Sequence, residues 1–221
     1  MIITPEIFLS FCVLGLLLIG PILKKNSHLI IGYLTLFVMI ISQFFIFKNI
    51  FQFEPIFNGF FVIDSFGSFM KCLLLIGSTI IIYMFLTVNK DNSIKQIEFP
   101  ILILIALIGM MFMVSSNDIL SLFLSIELQS LALYVLVAFS KEEENSSEAG
   151  VKYFVIGSIS TCIFLFGASL IYGFFGTTNF TEISKTLGQT REISLFLIIG
   201  VVFVLVSLSL KVSAAPFHMW T

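Results

Sequence analysis

Read along the chain, apolar residues fall into seven long runs parted by short polar breaks. The runs cover residues 6–23, 29–50, 66–88, 99–115, 117–139, 151–176 and 193–215. A helix needs about 20 mostly apolar residues to cross a bilayer, and each run meets that length within the few residues by which pattern misplaces a boundary. Each is predicted to be helical, because hydrocarbon offers no partner to backbone N–H and C=O groups. The breaks hold the charged and turn-forming residues: Lys24–His28, Lys48–Asp64, Asn89–Glu98, Ser115–Asp118, Lys141–Gly150 and Thr177–Glu192. The fourth break is so short that spans four and five are expected to form an antiparallel hairpin. The fold class expected is all-α, a polytopic transmembrane bundle of about seven spans.

Composition supports the pattern. Of 221 residues, 58% are hydrophobic and 11% are charged, whereas a soluble domain carries about 25% charged residues. The outer surface is therefore expected to meet membrane lipids. A net charge of −2 lacks the basic footprint that nucleic acid requires. The 27 phenylalanines are compatible with an AT-rich, organellar coding sequence. The apolar start runs straight into the first span, with no basic leader before it. Cys12, Cys72 and Cys162 have no metal or redox spacing and read as buried small hydrophobes. No GxGxxG or Walker sequence is present, and no Cys or His set fits a cluster, haem or metal.

Basic loop residues set the expected orientation. Lys24, Lys25, Lys90, Lys95 and Lys141 follow spans one, three and five. Lys48, Lys185 and Arg191 follow spans two, four and six. This bias puts the first group on the negative side and the amino terminus on the positive side. The run KEEENSSE, 141–148, reads as a solvated loop, and His28 is a loop residue with no pattern around it.

Charge inside the spans is harder to accommodate. Lys71, Glu127 and Lys211 lie well within predicted helices, and Lys152 just inside the sixth. A charge at the bilayer centre costs about 2.5–3.5 kcal/mol on insertion scales, so such residues face a protein interior or a hydrated cavity. Glu127 is about 15 Å into its span at 1.5 Å per residue. Ser130 and Tyr134 share its helical face, while Asp118, Ser121, Ser125 and Gln129 take the opposite one. A helix polar on two sides is packed by protein on both. Lys211 shares a face with Ser207, Val204 and Gly200, small enough for close helix approach. Pro216 lacks a backbone donor and should break or kink that helix, and His218 follows in the break, placed for proton work.

Plainer readings stand beside these. Glu127 fits a permanently protonated structural residue as well. Lys211 and Lys152 fit snorkelling to an interface, and Lys71 is best read as snorkelling or packing. As a set, however, the charges suit a proton relay. Burial disfavours the charged form of an acid or a base, and an opposite charge nearby favours it. A Glu–Lys pair in hydrocarbon then holds or releases a proton according to its separation and hydration.

Three stretches carry a family resemblance: ELQSLALYVLVAFS from Glu127, SSEAGVKYFVIGSISTCIFLFGASLIYGFFGTTNF from Ser146, and LKVSAAPFHMWT from Leu210. They resemble the antiporter-like, proton-translocating subunits of respiratory complex I, NADH:ubiquinone oxidoreductase, in the subunit 2 or bacterial N-type branch. DSFGSFMKCLLL, from Asp64 through Lys71, is similar to the third span of that branch. The resemblance implies that Glu127 is the fifth-span acid paired with a lysine. Lys211 is then the central proton carrier, Lys152 the sixth-span lysine, and His218 the histidine after the break. It implies helices one to four over 1–116 and the first proton-channel helices over 117–221. Family members have about fourteen spans, so the remainder is expected on a second polypeptide or missing from this sequence.

The resemblance also implies other membrane-arm subunits as partners. It places NADH, FMN, iron–sulfur clusters and ubiquinone in those subunits and no cofactor in this chain. The mitochondrial inner membrane is the location implied, with the bacterial plasma membrane as the alternative. Two other functions remain open: a subunit of a multi-subunit cation/proton antiporter, and a purely structural membrane-arm member.

Overall fold

Among the described residues, six helices long and apolar enough to span a membrane, and a shorter apolar one, occupy the seven predicted runs. The computed structural model describes residues 4–22, 27–49, 54–88, 97–140, 143–189 and 194–218. The element order is α1 (Pro5–Ile19, extended by a 3-10 turn at Gly20–Ile22), α2 (Ser27–Asn49), β1 (Glu54–Ile56), β2 (Phe61–Ile63), α3 (Ser65–Val88), α4 (Glu98–Ser115), α5 (Ile119–Val137), α6 (Glu144–Phe175), α7 (Phe180–Leu187) and α8 (Leu195–Lys211). The chain is a polytopic, all-helical membrane bundle with one small two-stranded sheet. Of the basic loop residues, Lys24, Lys25, Lys90, Lys95, Lys141 and Arg191, with the side chain of Lys48, lie outside the described residues, as do Glu142 and the final Met219, Trp220 and Thr221.

Local chemistry sets the helix ends. Pro5 opens α1, where its missing N–H is not needed. Asp118 caps α5 by accepting from the N–H groups of Leu120 and Ser121 at 2.8 and 3.3 Å. Ser194 caps α8 through the Leu197 N–H. Gly176 closes α6 at φ +68°, a left-handed conformation that suits glycine.

Several boundaries depart from the expectation. Helix α6 begins at Glu144, so most of the acidic run is helical rather than loop. Its Glu and Ser side chains stay largely exposed, and carboxylates are favoured at a helix amino terminus. Helix α7 falls in a stretch expected to be a connection. It is only eight residues long and polar, and Asn179 starts it by accepting from the Thr181 and Glu182 N–H groups. His28 sits in the first turn of α2 rather than in a loop.

Two compact units divide the chain, residues 1–56 with 62–115 and residues 57–61 with 116–221. In the first, α1 packs on α2 and α4, and α3 packs on α2 and α4. Leu9, Met39, Leu75 and Leu104 are fully buried among them. The buried hydroxyls of Thr35, Ser42 and Ser78 donate to backbone carbonyls three residues back in their own helices, so they need no partner from another helix.

Lys71 does not reach an interface, contrary to the snorkelling reading. Its Nζ lies 2.6 Å from Glu6 Oε1, with 5% and 4% of the two side chains exposed. About 9 Å of α3 separates Lys71 from the helix start at 1.5 Å per residue. A counter-charge on α1 is closer to hand than water. Cysteine burial is also corrected. Cys162 is exposed and Cys12 and Cys72 are half-buried, because an apolar side chain on a membrane helix can face outward. Phe11, Leu18 and Phe44 do the same, each more than 70% exposed.

The Glu6–Lys71 contact gives a direct expectation. Lys71→Met leaves a buried carboxylate unpaired and should cost about 3–5 kcal/mol of stability. Adding Glu6→Gln removes the stranded charge and should recover much of that loss. Reversible unfolding of the protein in lipid bicelles measures both.

Candidate functional site

The second unit holds three long helices in antiparallel contact, α5 on α6 and α6 on α8. Along α5 and α6, Phe123 stacks on Phe164 with centroids 5.7 Å apart. Further along, Glu127 meets Thr161, and Tyr134 lies against Gly157. A side chain at Gly157 would collide with the Tyr134 hydroxyl. The Tyr134 ring stands edge-on to Tyr153, centroids 4.8 Å apart.

Between α6 and α8 the approach is closer still. A Cβ on Gly167 would stand 2.7 Å from the Gly200 carbonyl oxygen and 2.9 Å from the Val204 nitrogen. One register step away, Ser160 and Ser207 each donate to the other's backbone carbonyl, at 2.9 and 2.8 Å. Both are essentially fully buried. The small face of α8 carrying Gly200, Val204 and Ser207 is therefore the face that packs on α6, and Lys211 continues it.

Helix α8 ends at Lys211, four residues before the expected limit. Ser213 takes a left-handed φ of +55°. The Ala214 N–H then bonds the Ser209 carbonyl at 2.9 Å, and the Ser213 N–H bonds that of Leu210 at 3.2 Å. This is a Schellman ending. It stops the helix ahead of Pro216, and a cation in the last turn complements the carbonyl ends.

The Lys211 Nζ reaches back across the bundle. It lies 3.2 Å from Glu127 Oε2 and 3.4 Å from Ser130 Oγ. The Lys211 and Glu127 side chains are 16% and 24% exposed. Ser130 donates its own proton to the Ile126 carbonyl at 2.7 Å, which leaves its oxygen to accept from the ammonium. Thr161 Oγ1 lies 3.0 Å from the same Glu127 Oε2 and 2.9 Å from the Gly157 carbonyl. Glu127 is eight residues along α5, about 12 Å at 1.5 Å per residue.

The opposite face of α5 is tied down differently. Asp118 is 1% exposed and accepts from the Thr178 hydroxyl at 2.5 Å. Ser121 donates to the Phe60 carbonyl at 3.3 Å, and Asn117 and Asn179 both donate to that of Gly59 at 3.0 and 3.2 Å. The connections after spans two, four and six thus meet at one end of this unit.

Two of the four sequence-predicted site residues, Glu127 and Lys211, are brought into contact. Lys152 is not brought to them. It lies eight residues along α6 with a side chain 66% exposed, and pairs with Glu148 one turn earlier, 2.5 Å away. His218 is exposed in the turn after α8. Sequence reasoning passed over Thr161 and Glu6. A threonine in an apolar helix gives no signal by itself, and Glu6 sits at the edge of its run.

Structurally, the second unit is a membrane-embedded acid–base pair framed by three close helices. Residues 116–221 match, and belong to, the antiporter-like family whose model is described as NADH:quinone oxidoreductase/Mrp antiporter, TM. It is 43% identical over 219 residues to NADH-quinone oxidoreductase subunit N of Pelagibacter ubique, covering 99% of this chain and 46% of the relative. It is similar to a chain in respiratory complex I from Thermus thermophilus, at 25% identity and a TM-score of 0.78, covering 98% of this chain and 46% of that one. It shares its fold with a chain of the archaeal membrane-bound sulfane sulfur reductase, at 19% identity, a TM-score of 0.85, and coverage of 98% and 45%. The chain spans about half the length of the curated relatives it matches.

Close approach of α6 and α8 is what carries Lys211 to Glu127. Gly167→Ala, which meets backbone on the facing helix, should destabilise the protein by about 1–3 kcal/mol. Gly77→Ala, with nothing within 4 Å of its new methyl, should not. Thermal unfolding of the two variants side by side checks the difference.

Proposed function

We propose that this chain contributes the first half of one proton-translocation unit to the membrane arm of an NADH:quinone oxidoreductase. The observation that carries the reading is the contact of Lys211 with Glu127, within residues matched by the antiporter-like family. In this reading Lys211 carries the proton and Glu127 biases how firmly it is held. When the carboxylate is close and ionised, the ammonium is stabilised. When the pair separates or Glu127 takes a proton, Lys211 releases its own more readily. Moving one charge against 100 mV takes about 2.3 kcal/mol. Changes of that size follow from modest changes in the distance and hydration of a charge pair.

Lys152, exposed two turns into α6, serves as the connection to the negative-side aqueous phase. His218, in the turn after α8, serves the onward route. The enzyme activity belongs to the assembled complex, with flavin, iron–sulfur clusters and quinone chemistry in other subunits. The named relatives are bacterial, which favours a bacterial plasma membrane over the mitochondrial inner membrane. The amino terminus then faces the positive side.

The family description also names the Mrp antiporter, which supports a second reading, a subunit of a cation/proton antiporter without a redox partner. Purification of the native assembly separates them: flavin and iron–sulfur subunits accompany the chain only in the first.

Lys211→Met in the assembled complex should abolish proton pumping through this unit while leaving assembly and electron entry from NADH intact. Quinone-driven proton uptake in reconstituted vesicles measures it. Normal pumping by the variant would end the assignment of Lys211.

A further inference from the structure

Glu127 has hydrogen-bond partners on two other helices, and they are not equivalent. Lys211 approaches from α8, where its ammonium also reaches Ser130 on α5. Thr161 approaches from α6. Lys211 Nζ and Thr161 Oγ1 converge on one carboxylate oxygen, Oε2, at 3.2 and 3.0 Å. The Thr161 hydroxyl has one proton and two acceptors in reach, that oxygen and the Gly157 carbonyl at 2.9 Å. A hydroxyl can donate one bond and accept up to two.

We propose that Thr161 is a positioning residue whose hydroxyl holds Glu127 in both of its protonation states. With Glu127 ionised, the Thr161 O–H donates to Oε2 beside the Lys211 ammonium. With Glu127 protonated on Oε2, the carboxyl O–H donates to Thr161 Oγ1, and the Thr161 proton turns to the Gly157 carbonyl. One rotation about the Cβ–Oγ1 bond interconverts the two arrangements. No bond to hydrogen is made or broken at Thr161.

The consequence concerns geometry during turnover. Lys211 alone cannot hold Glu127 in place once their charges no longer attract. A partner that accepts as readily as it donates keeps the carboxyl group facing the lysine in both states, so the pair re-forms without a search. Gly157 contributes twice here: its carbonyl is the resting acceptor, and its missing side chain makes room for Tyr134.

This inference rests on the proton-carrier reading of Lys211, and the test separates the two. Thr161→Val keeps the branched shape and removes both hydrogen bonds, and Thr161→Ser keeps the hydroxyl. In the assembled complex, Thr161→Val should slow quinone-driven proton uptake about tenfold, on the scale of one hydrogen bond to a charged group. Electron entry from NADH should be unchanged, and Thr161→Ser should restore uptake. Infrared difference spectra supply a readout that packing does not move. The carboxyl C=O band assigned to Glu127, by its loss in Glu127→Gln, should rise in frequency in Thr161→Val and return in Thr161→Ser.

An unmoved band in Thr161→Val overturns the proposal, as does equal slowing by Val and Ser. Should Thr161→Val not assemble, the smaller Thr161→Ala removes the same hydroxyl and carries the same expectations. Normal pumping in Lys211→Met would instead defeat the underlying reading, whatever Thr161 does.

Discussion

Charge inside a bundle this apolar persists where an opposite charge or the donors of a helix end answer it, and that constraint organises the molecule. Lys71, inside α3, and Lys211, the last residue of α8, each find a glutamate on another helix of the same unit. The two pairs differ in a way that matters. Glu6 and Lys71 are almost sealed, at about one-twentieth exposure, and their contact is short. Such a pair fixes a helix and has little room to change. Glu127 and Lys211 are longer apart, several times more exposed, and ringed by hydroxyls that can serve either charge state. The first arrangement suits a clamp and the second a proton store.

Helix contact in lipid lacks the hydrophobic drive that assembles soluble bundles. Here small residues and hydroxyls substitute for it. Gly167 against Gly200 and Ser160 against Ser207 bring α6 and α8 together. The same approach sets the line along which Lys211 meets Glu127. Stability of the unit and geometry of its charge pair are therefore the same property. At the far end of the unit, Asp118, Asn117 and Asn179 tie three connections into one hydrogen-bonded cluster. That cluster anchors the start of α5, from which the depth of Glu127 is measured.

A chain of half its relatives' length can still carry a complete acid–base pair, because that pair lies within residues 116–221. In the reading proposed above, the shared family description of oxidoreductase and antiporter fits the same economy. One buried pair can be biased by a redox partner or by an ion gradient. Nothing in its local geometry needs to differ between those uses.

The amino-acid sequence by itself determined the class of molecule. Runs of about 20 apolar residues must be helices in lipid, and an isolated carboxylate or ammonium within them stands out because its burial is costly. Helical spacing also placed Ser130 and Tyr134 on the Glu127 side. Helical spacing had no means of pairing residues 84 positions apart, since contact between helices depends on register and tilt; the family resemblance alone implied that pair. Only the tertiary structure joined Glu127 to Lys211, gave Lys71 its Glu6, and left Lys152 on Glu148 at the surface. Helix ends divided along the same line. Pro216 announced a break, but the left-handed Ser213 placed it at Lys211. The acidic run read as loop, yet the chain is helical from Glu144 onward with those side chains exposed, carboxylates being favoured at a helix amino terminus. Thr161 was silent in sequence because a hydroxyl in a helix ordinarily bonds its own backbone; its second partner exists only where another helix brings one.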